Sequence, residues 1–257
     1  MSDLQPKTFK RRMRDGERLY GFFVGTPAPA TVEMVGFAGY DFVVIDQEHG
    51  PASTETLEHL CRAADVAGIA AIIRVPSGTT ADILHALDAG ATGILVPHVA
   101  DAATARRLLE AAHYPPLGTR GISTLSRAGR YGLTDASDYL ARRKDVTVVM
   151  ALVEDREALE HVSDIVSVEG LDAVFVGTSD LAASMGHVGN PKHPDVAKAV
   201  AELCEKAVGA SALSLATAVR SLQDVEQFHQ QGVRLFCFNT TSLLATALSK
   251  LRSDLRK

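Results

Sequence analysis

Long apolar runs are missing from this chain of 257 residues. No stretch approaches the roughly 18 apolar residues that a membrane-spanning helix needs, and nothing near the start has the pattern of a signal peptide. A soluble, cytoplasmic protein without a membrane partner is therefore expected. Cysteine is scarce: Cys61, Cys204 and Cys237 show no paired spacing, which gives neither a disulfide framework nor a zinc motif. Charge of one sign is concentrated only in KTFKRRMR, residues 7–14. On a chain of net charge −5 that stretch is expected to be a solvated helix, with no nucleic-acid partner. A Gly-rich phosphate loop is absent too. The segment after the first apolar run reads GTPAPAT, which argues against an open doubly wound sheet, the second-ranked architecture.

What is present is alternation. Eight short apolar runs, at 19–25, 41–46, 70–75, 93–97, 146–153, 173–177, 212–217 and 234–238, are separated by amphipathic segments. Their near-continuous hydrophobicity suits strands covered on both faces of a parallel sheet. Gly39, Gly68, Gly90 and Gly232 stand where helices end, and Asp101 stands where a helix N-cap is wanted. Eight such pairs predict one (β/α)8 TIM barrel domain spanning residues 1–257. Residues 113–145, between the fourth and fifth runs, break the rhythm as a long connection, a kind that is often functional.

In such a barrel, chemistry is done at the C-terminal ends of the strands. The second run is followed there by Asp46, Gln47, Glu48 and His49; the third carries Arg74; the fourth precedes His98; the fifth ends at Glu154; and the sixth runs into Thr178, Ser179 and Asp180. Glu154 and Asp180 each have a plain alternative, as turn residues, with Asp155 capping the helix that begins at Arg156. Together on consecutive strands they make a candidate hard-metal site. A guanidinium on a barrel strand needs an anionic partner, and an anionic substrate provides one for Arg74. His49 beside Asp46 and Glu48 resembles an oriented general base, or else a hydrogen-bonded structural histidine. His98 is read as structural or supporting, and the other seven histidines as surface residues. None of the eight lysines falls at a C-terminal strand end, so Schiff-base chemistry is excluded and carbanion chemistry would need a metal as electron sink.

The ordered segments VVIDQEHGP (43–51), IIRVP (72–76), ILVPHV (94–99), YPPLGTRG (114–121), VEDREAL (153–159), VFVGTSDLAASMG (174–186) and GNPKHPDV (189–196) resemble the HpcH/HpaI aldolase family over nearly the whole chain. The resemblance implies a barrel whose last helix is exchanged between subunits, in a homo-oligomer, commonly a hexamer built as a trimer of dimers. It implies Mg²⁺, Mn²⁺ or Co²⁺ held by Glu154 and Asp180, with a small 2-oxo acid and an aldehyde as reactants. Arg74 would bind the keto oxygen, His49 oriented by Asp46 would be the acid/base, and the backbone at Ser179 and Asp180 would hold the carboxylate. The chain departs from the pattern at Leu152, often glutamine in relatives, and reads GTSD where many have GPAD. Segment 113–145 is a candidate to reach the acceptor across a subunit boundary, through Arg120 or Ser123. Two alternatives remain: an acyl-CoA ester lyase of the citrate or citramalyl-CoA type, and a non-catalytic metabolite-binding barrel. The end of the chain soon after the eighth run argues against the first.

Overall fold

Strand residues alternate between two apolar environments, and that alternation closes the sheet. The computed structural model describes residues 8–209 and 213–256; Lys7, Lys257 and Ala212, which begins the seventh expected strand, lie outside them. The eight strands are β1 (Leu19–Val24), β2 (Phe42–Asp46), β3 (Ala70–Arg74), β4 (Gly93–Val96), β5 (Val148–Val153), β6 (Ala173–Val176), β7 (Ser214–Ala218) and β8 (Leu235–Asn239). All pair in parallel, each with the next and β8 with β1, so the barrel is closed in sequence order. One set of side chains, including Phe23, Val44, Ile72, Leu95, Met150, Leu152, Phe175 and Cys237, packs together inside the barrel. The other set, including Val43, Ile45, Ile73, Ile94, Val149 and Val174, packs under the helices. This is the period of two expected for a pleated strand. Gly21 belongs to the structure for a steric reason: a Cβ there would lie 2.7 Å from the Phe42 ring.

The covering helices are α2 (Pro29–Phe37), α3 (Thr54–Ala67), α4 (Thr80–Asp88), α5 (Ala102–Ala112), α6 (Ala136–Val146), α7 (Val162–Val166), α8 (Thr178–Ser184), α9 (Pro194–Val208), α10 (Leu222–Gln230) and α11 (Thr240–Asp254), preceded by α1 (Phe9–Arg14). The expected caps are in place. Gly39, Gly68, Gly90 and Gly232 all have positive φ, and Asp101 accepts the Thr104 N–H. Helix α11 differs from the rest: none of its residues is buried, and Leu243, Leu244, Leu248, Leu251 and Leu255 are exposed.

Two expectations change. The basic segment near the start does form a helix, but α1 is not simply solvated. Met13 is buried and Phe9 packs on Phe42, and Lys10 Nζ donates to Thr147 O at 2.7 Å and to Asp172 Oδ2 at 3.0 Å. Thr147 and Asp172 immediately precede β5 and β6, so α1 closes the N-terminal end of the barrel. Burial pushes the Asp172 carboxyl above its ordinary pKa against the pull of Lys10. Removing one partner of a buried pair leaves the other uncompensated. Lys10→Ala should cost about 3 kcal/mol of stability in urea unfolding, and Lys10→Met combined with Asp172→Leu should recover much of it.

The second change concerns 113–145. Much of it is ordered, as a 3-10 segment at Arg127–Gly132 and as α6. Arg127 donates to Ala89 O and pairs with Asp65, while Arg143 donates to Ala91 O. These contacts are at the C-terminal ends of α3 and α4, which is the face of the barrel opposite the strand C-termini. Arg120 is wholly buried there, 2.6 Å from Asp88 Oδ1 and stacked on Tyr114. It therefore does not reach towards the mouth of its own barrel. His113, read as a surface residue, is partly buried nearby, and burial together with Lys10, Arg120 and Arg143 pushes its pKa down to about 4.

Candidate active site at the barrel mouth

Because Asp46 shares its strand face with Val44, and Arg74 shares its face with Ile72, both side chains turn inward at the C-terminal rim. The register places them side by side, and they form a two-pronged pair: Arg74 Nε donates to Asp46 Oδ1 at 3.0 Å and Nη2 to Oδ2 at 2.7 Å. The guanidinium also lies 3.0 Å from Glu48 Oε2 through Nη1, and sits over the Phe23 ring at 5.0 Å. Burial opposes its charge, but the Asp46 bonds and the fields of Glu48 and Glu154 raise its pKa overall. Arg74 is thus a fixed cation with its fork pre-aligned.

Asp46 also accepts the backbone N–H groups of Glu48 and His49, each at 3.2 Å. Its contact with His49 is therefore through the backbone, and the expected orientation of the imidazole by Asp46 is replaced by a different arrangement. The His49 ring is 66% exposed and its Nε2 lies 3.8 Å from Glu48 Oε2. Glu48 is the acid that links the site: it faces Arg74, His49 and, at 3.8 Å, His98 Nε2.

Glu154 continues the inward face of Leu152 and is 2% exposed. Burial, with Asp180 and Glu48 adding to it, pushes its pKa up to about 7 against the pull of His98. The floor beside it must be glycine. A Cβ on Gly177 would lie 2.7 Å from Glu154 Cβ, 2.9 Å from Oε2 and 3.0 Å from Leu152 Cδ1. Leu152 accordingly packs in the barrel interior beneath the acid. Ser184 Oγ donates to Glu154 O at 3.4 Å and accepts the Arg156 N–H at 3.0 Å, tying the end of β5 to α8. Ser179 and Asp180 are exposed on the first turn of α8.

His98 is closer to this centre than the sequence suggested. It adopts φ of 56°, a conformation that costs a non-glycine residue on the order of 1 kcal/mol or more. Its backbone N–H donates to Glu154 Oε1 at 3.1 Å, and its Nδ1 lies 3.0 Å from Asp155 Oδ2. Asp155 is therefore occupied with His98 instead of capping the next helix. Burial works against the His98 charge, but the Asp155 bond and the surrounding acids raise its pKa.

The donor set suits a divalent cation. Glu48, His98 and Glu154 offer ligand atoms within 4.8 Å of one another, and Asp180 is near enough to raise the Glu154 pKa. Glu48 Oε2 pairs with the Arg74 charge but has no hydrogen bond. Acids gathered this closely repel one another, and a cation among them relieves that repulsion. Among the described residues no lysine amine is placed to compete for the role: the buried Lys10 lies at the opposite end of the barrel, and Lys192 is exposed and paired with Asp224.

The family model for HpcH/HpaI aldolase/citrate lyase matches residues 19–244. A hydroxypyruvate/pyruvate aldolase of Pseudomonas aeruginosa is 39% identical, over 77% of this chain and 74% of its own. A 2-keto-3-deoxy-L-rhamnonate aldolase of Salmonella gallinarum is 33% identical, over 98% of this chain and 96% of its own. Among solved structures, an HpcH/HpaI aldolase/citrate lyase family protein from Burkholderia cenocepacia superposes with a TM-score of 0.91 at 30% identity, covering 96% of this chain and 98% of that one.

Proposed function

The chain belongs to the HpcH/HpaI aldolase/citrate lyase family, and from that premise we propose that this carbon–carbon lyase is a divalent-metal-dependent enzyme that cleaves a 4-hydroxy-2-oxo acid into pyruvate and an aldehyde. The observation that carries the reading is the inward-facing Arg74, fixed by Asp46 and Glu48, beside a cluster of acids that could hold a cation. The two relatives named as aldolases favour this chemistry over acyl-CoA cleavage or ligand binding without turnover.

Glu154 and Asp180 would hold the ion, Mg²⁺, Mn²⁺ or Co²⁺, as oxygen donors. When bound, it supplies Lewis-acid stabilisation of negative charge on the 2-oxo group. Arg74 donates to the same oxygen as charge develops there, and its prior alignment spares reorganisation during the reaction. The backbone at Ser179 and Asp180 would hold the substrate carboxylate. His49, exposed and facing Glu48, takes the proton from the 4-hydroxyl through an intervening water as the C3–C4 bond breaks and its electron pair passes to C3 as the enolate, which then takes up a proton to give the methyl group of pyruvate. In the synthetic direction the same imidazole returns that proton. His49→Ala should slow aldol cleavage by on the order of 10²–10⁴-fold while sparing affinity for pyruvate. Cleavage at the wild-type rate would remove His49 from the mechanism.

The reading is tested by exchange of the pyruvate methyl protons in D₂O, followed by NMR with Mn²⁺ and then with a chelator. Metal-dependent exchange is expected. Folded protein that exchanges nothing under either condition would reject pyruvate as the nucleophile.

The exposed leucines of α11 support exchange of this helix between subunits. Leu244, Leu248 and Leu251, with Leu255 at the C-cap, fall at helical spacing on one stripe. Light scattering should find a hexamer, and Leu244→Glu with Leu248→Glu should reduce it to smaller species. An unchanged mass would reject this role for the helix.

A further inference from the structure

We propose that His98 is a nitrogen ligand to the divalent ion, oriented by Asp155, so that this site prefers borderline transition ions over Mg²⁺ more strongly than oxygen donors alone would. The inference rests on the metal-dependent reading above and assigns a new role to one residue of that site.

Three observations on different parts of His98 point the same way. Its backbone is left-handed, at φ 56°, and the N–H so turned donates to Glu154 Oε1 at 3.1 Å. The conformation thus ties this residue directly to an acid assigned to the ion. Its ring is placed by Asp155, whose Oδ2 lies 3.0 Å from Nδ1. A carboxylate that accepts from one imidazole nitrogen fixes the tautomer and leaves the other nitrogen with its lone pair, the arrangement found behind metal-binding histidines. That other nitrogen, Nε2, faces Glu48, 3.8 Å from its Oε1, while Nδ1 also lies 3.5 Å from Glu154 Oε1, so the ring stands between the two acids. Among the described residues Nε2 makes no hydrogen bond, and the side chain is 61% exposed, so an ion can approach it from the mouth.

The chemistry follows from the donor type. Mg²⁺ takes oxygen ligands and keeps its waters, whereas imidazole suits Zn²⁺, Co²⁺ and Ni²⁺. A histidine added to Glu154 and Asp180 shifts preference along that series. Asp155 makes no metal contact in this scheme; it is a positioning residue that acts through His98.

The test compares wild type with His98→Asn and His98→Gly, which tolerate a left-handed backbone and so keep the fold. Pulsed EPR of the bound Mn²⁺ should show imidazole nitrogen coupling in wild type and in His49→Ala, and none in either His98 variant. Affinity for Zn²⁺ should fall by at least about tenfold in the variants, with Mg²⁺ affinity within about threefold of wild type. Asp155→Asn should weaken Zn²⁺ binding while the nitrogen coupling persists. Bound Mn²⁺ without nitrogen coupling in wild type, or equal losses for Zn²⁺ and Mg²⁺, would overturn the assignment and leave the aldolase reading intact. Failure of wild type to bind any divalent ion would overturn both.

Discussion

Replacing Arg74 should damage substrate binding and turnover together. Arg74→Ala is expected to lower kcat/KM for retro-aldol cleavage by at least about 10³-fold, since one donor to a developing oxyanion already contributes 10²–10³-fold. The loss should appear in both kcat and KM, because the same guanidinium meets the substrate anion before the charge moves. Arg74→Lys separates charge from shape. A lysine restores the cation, but it cannot reproduce the Nε and Nη2 bonds to Asp46 while holding Nη1 near Glu48. About 10²-fold should remain lost. Wild-type kinetics in Arg74→Lys would show that only the charge is used, and that the alignment by Asp46 has no catalytic role. Because Asp46 is buried, Arg74→Ala should also lower the thermal midpoint. Kinetics must therefore be read at a temperature where the variant is folded.

Much of this site was legible because it follows from strand parity. Val44 and Ile72 face the barrel interior, so Asp46 and Arg74 must face the same way at the rim. The step from Leu152 to Glu154 repeats the argument on β5. Parity stops where the strand stops, and there the reading weakened. Glu48 and His98 stand beyond strand ends, where backbone turns decide direction. A left-handed φ at a histidine has no compositional signature, unlike the same conformation at Gly68 or Gly90. The one available sign was the run Glu154-Asp155, two adjacent acids at a strand end opposite a histidine at the neighbouring one. Lys10 was missed for a different reason. Its partner Asp172 is 162 residues away, and a local run of positive charge says nothing about so distant a carboxylate. Helix α6 escaped notice because only Tyr139 is buried along it, which leaves no apolar period to detect.

Removing the Glu154 charge should weaken ion binding and, without the ion, strengthen the fold. The carboxyl pKa of about 7, against an ordinary 4.5, arises from burial first and from Asp180 and Glu48 next. A carboxyl whose pKa is raised by folding binds its proton more tightly in the folded state. The chelated protein therefore loses stability as pH rises from about 4.5 to about 7, by on the order of 3 kcal/mol in all. An ion binds the carboxylate and must displace that proton. Apparent metal affinity should then fall by up to about tenfold for each pH unit below 7 and level off above it. Glu154→Gln keeps the shape and removes the charge. It should lower metal affinity by at least about 100-fold and reduce the dependence on pH near 7, leaving the part due to the His98 imidazole. In a chelator at pH 8, the same variant should unfold at higher urea concentration than wild type. A Glu154→Gln protein that is less stable than wild type under those conditions would mean that the acids are not in conflict, and the argument for a cation among them would fail with it. Greater stability together with lost ion binding would show that this carboxylate is held at a cost to the fold, and that the bound ion offsets that cost.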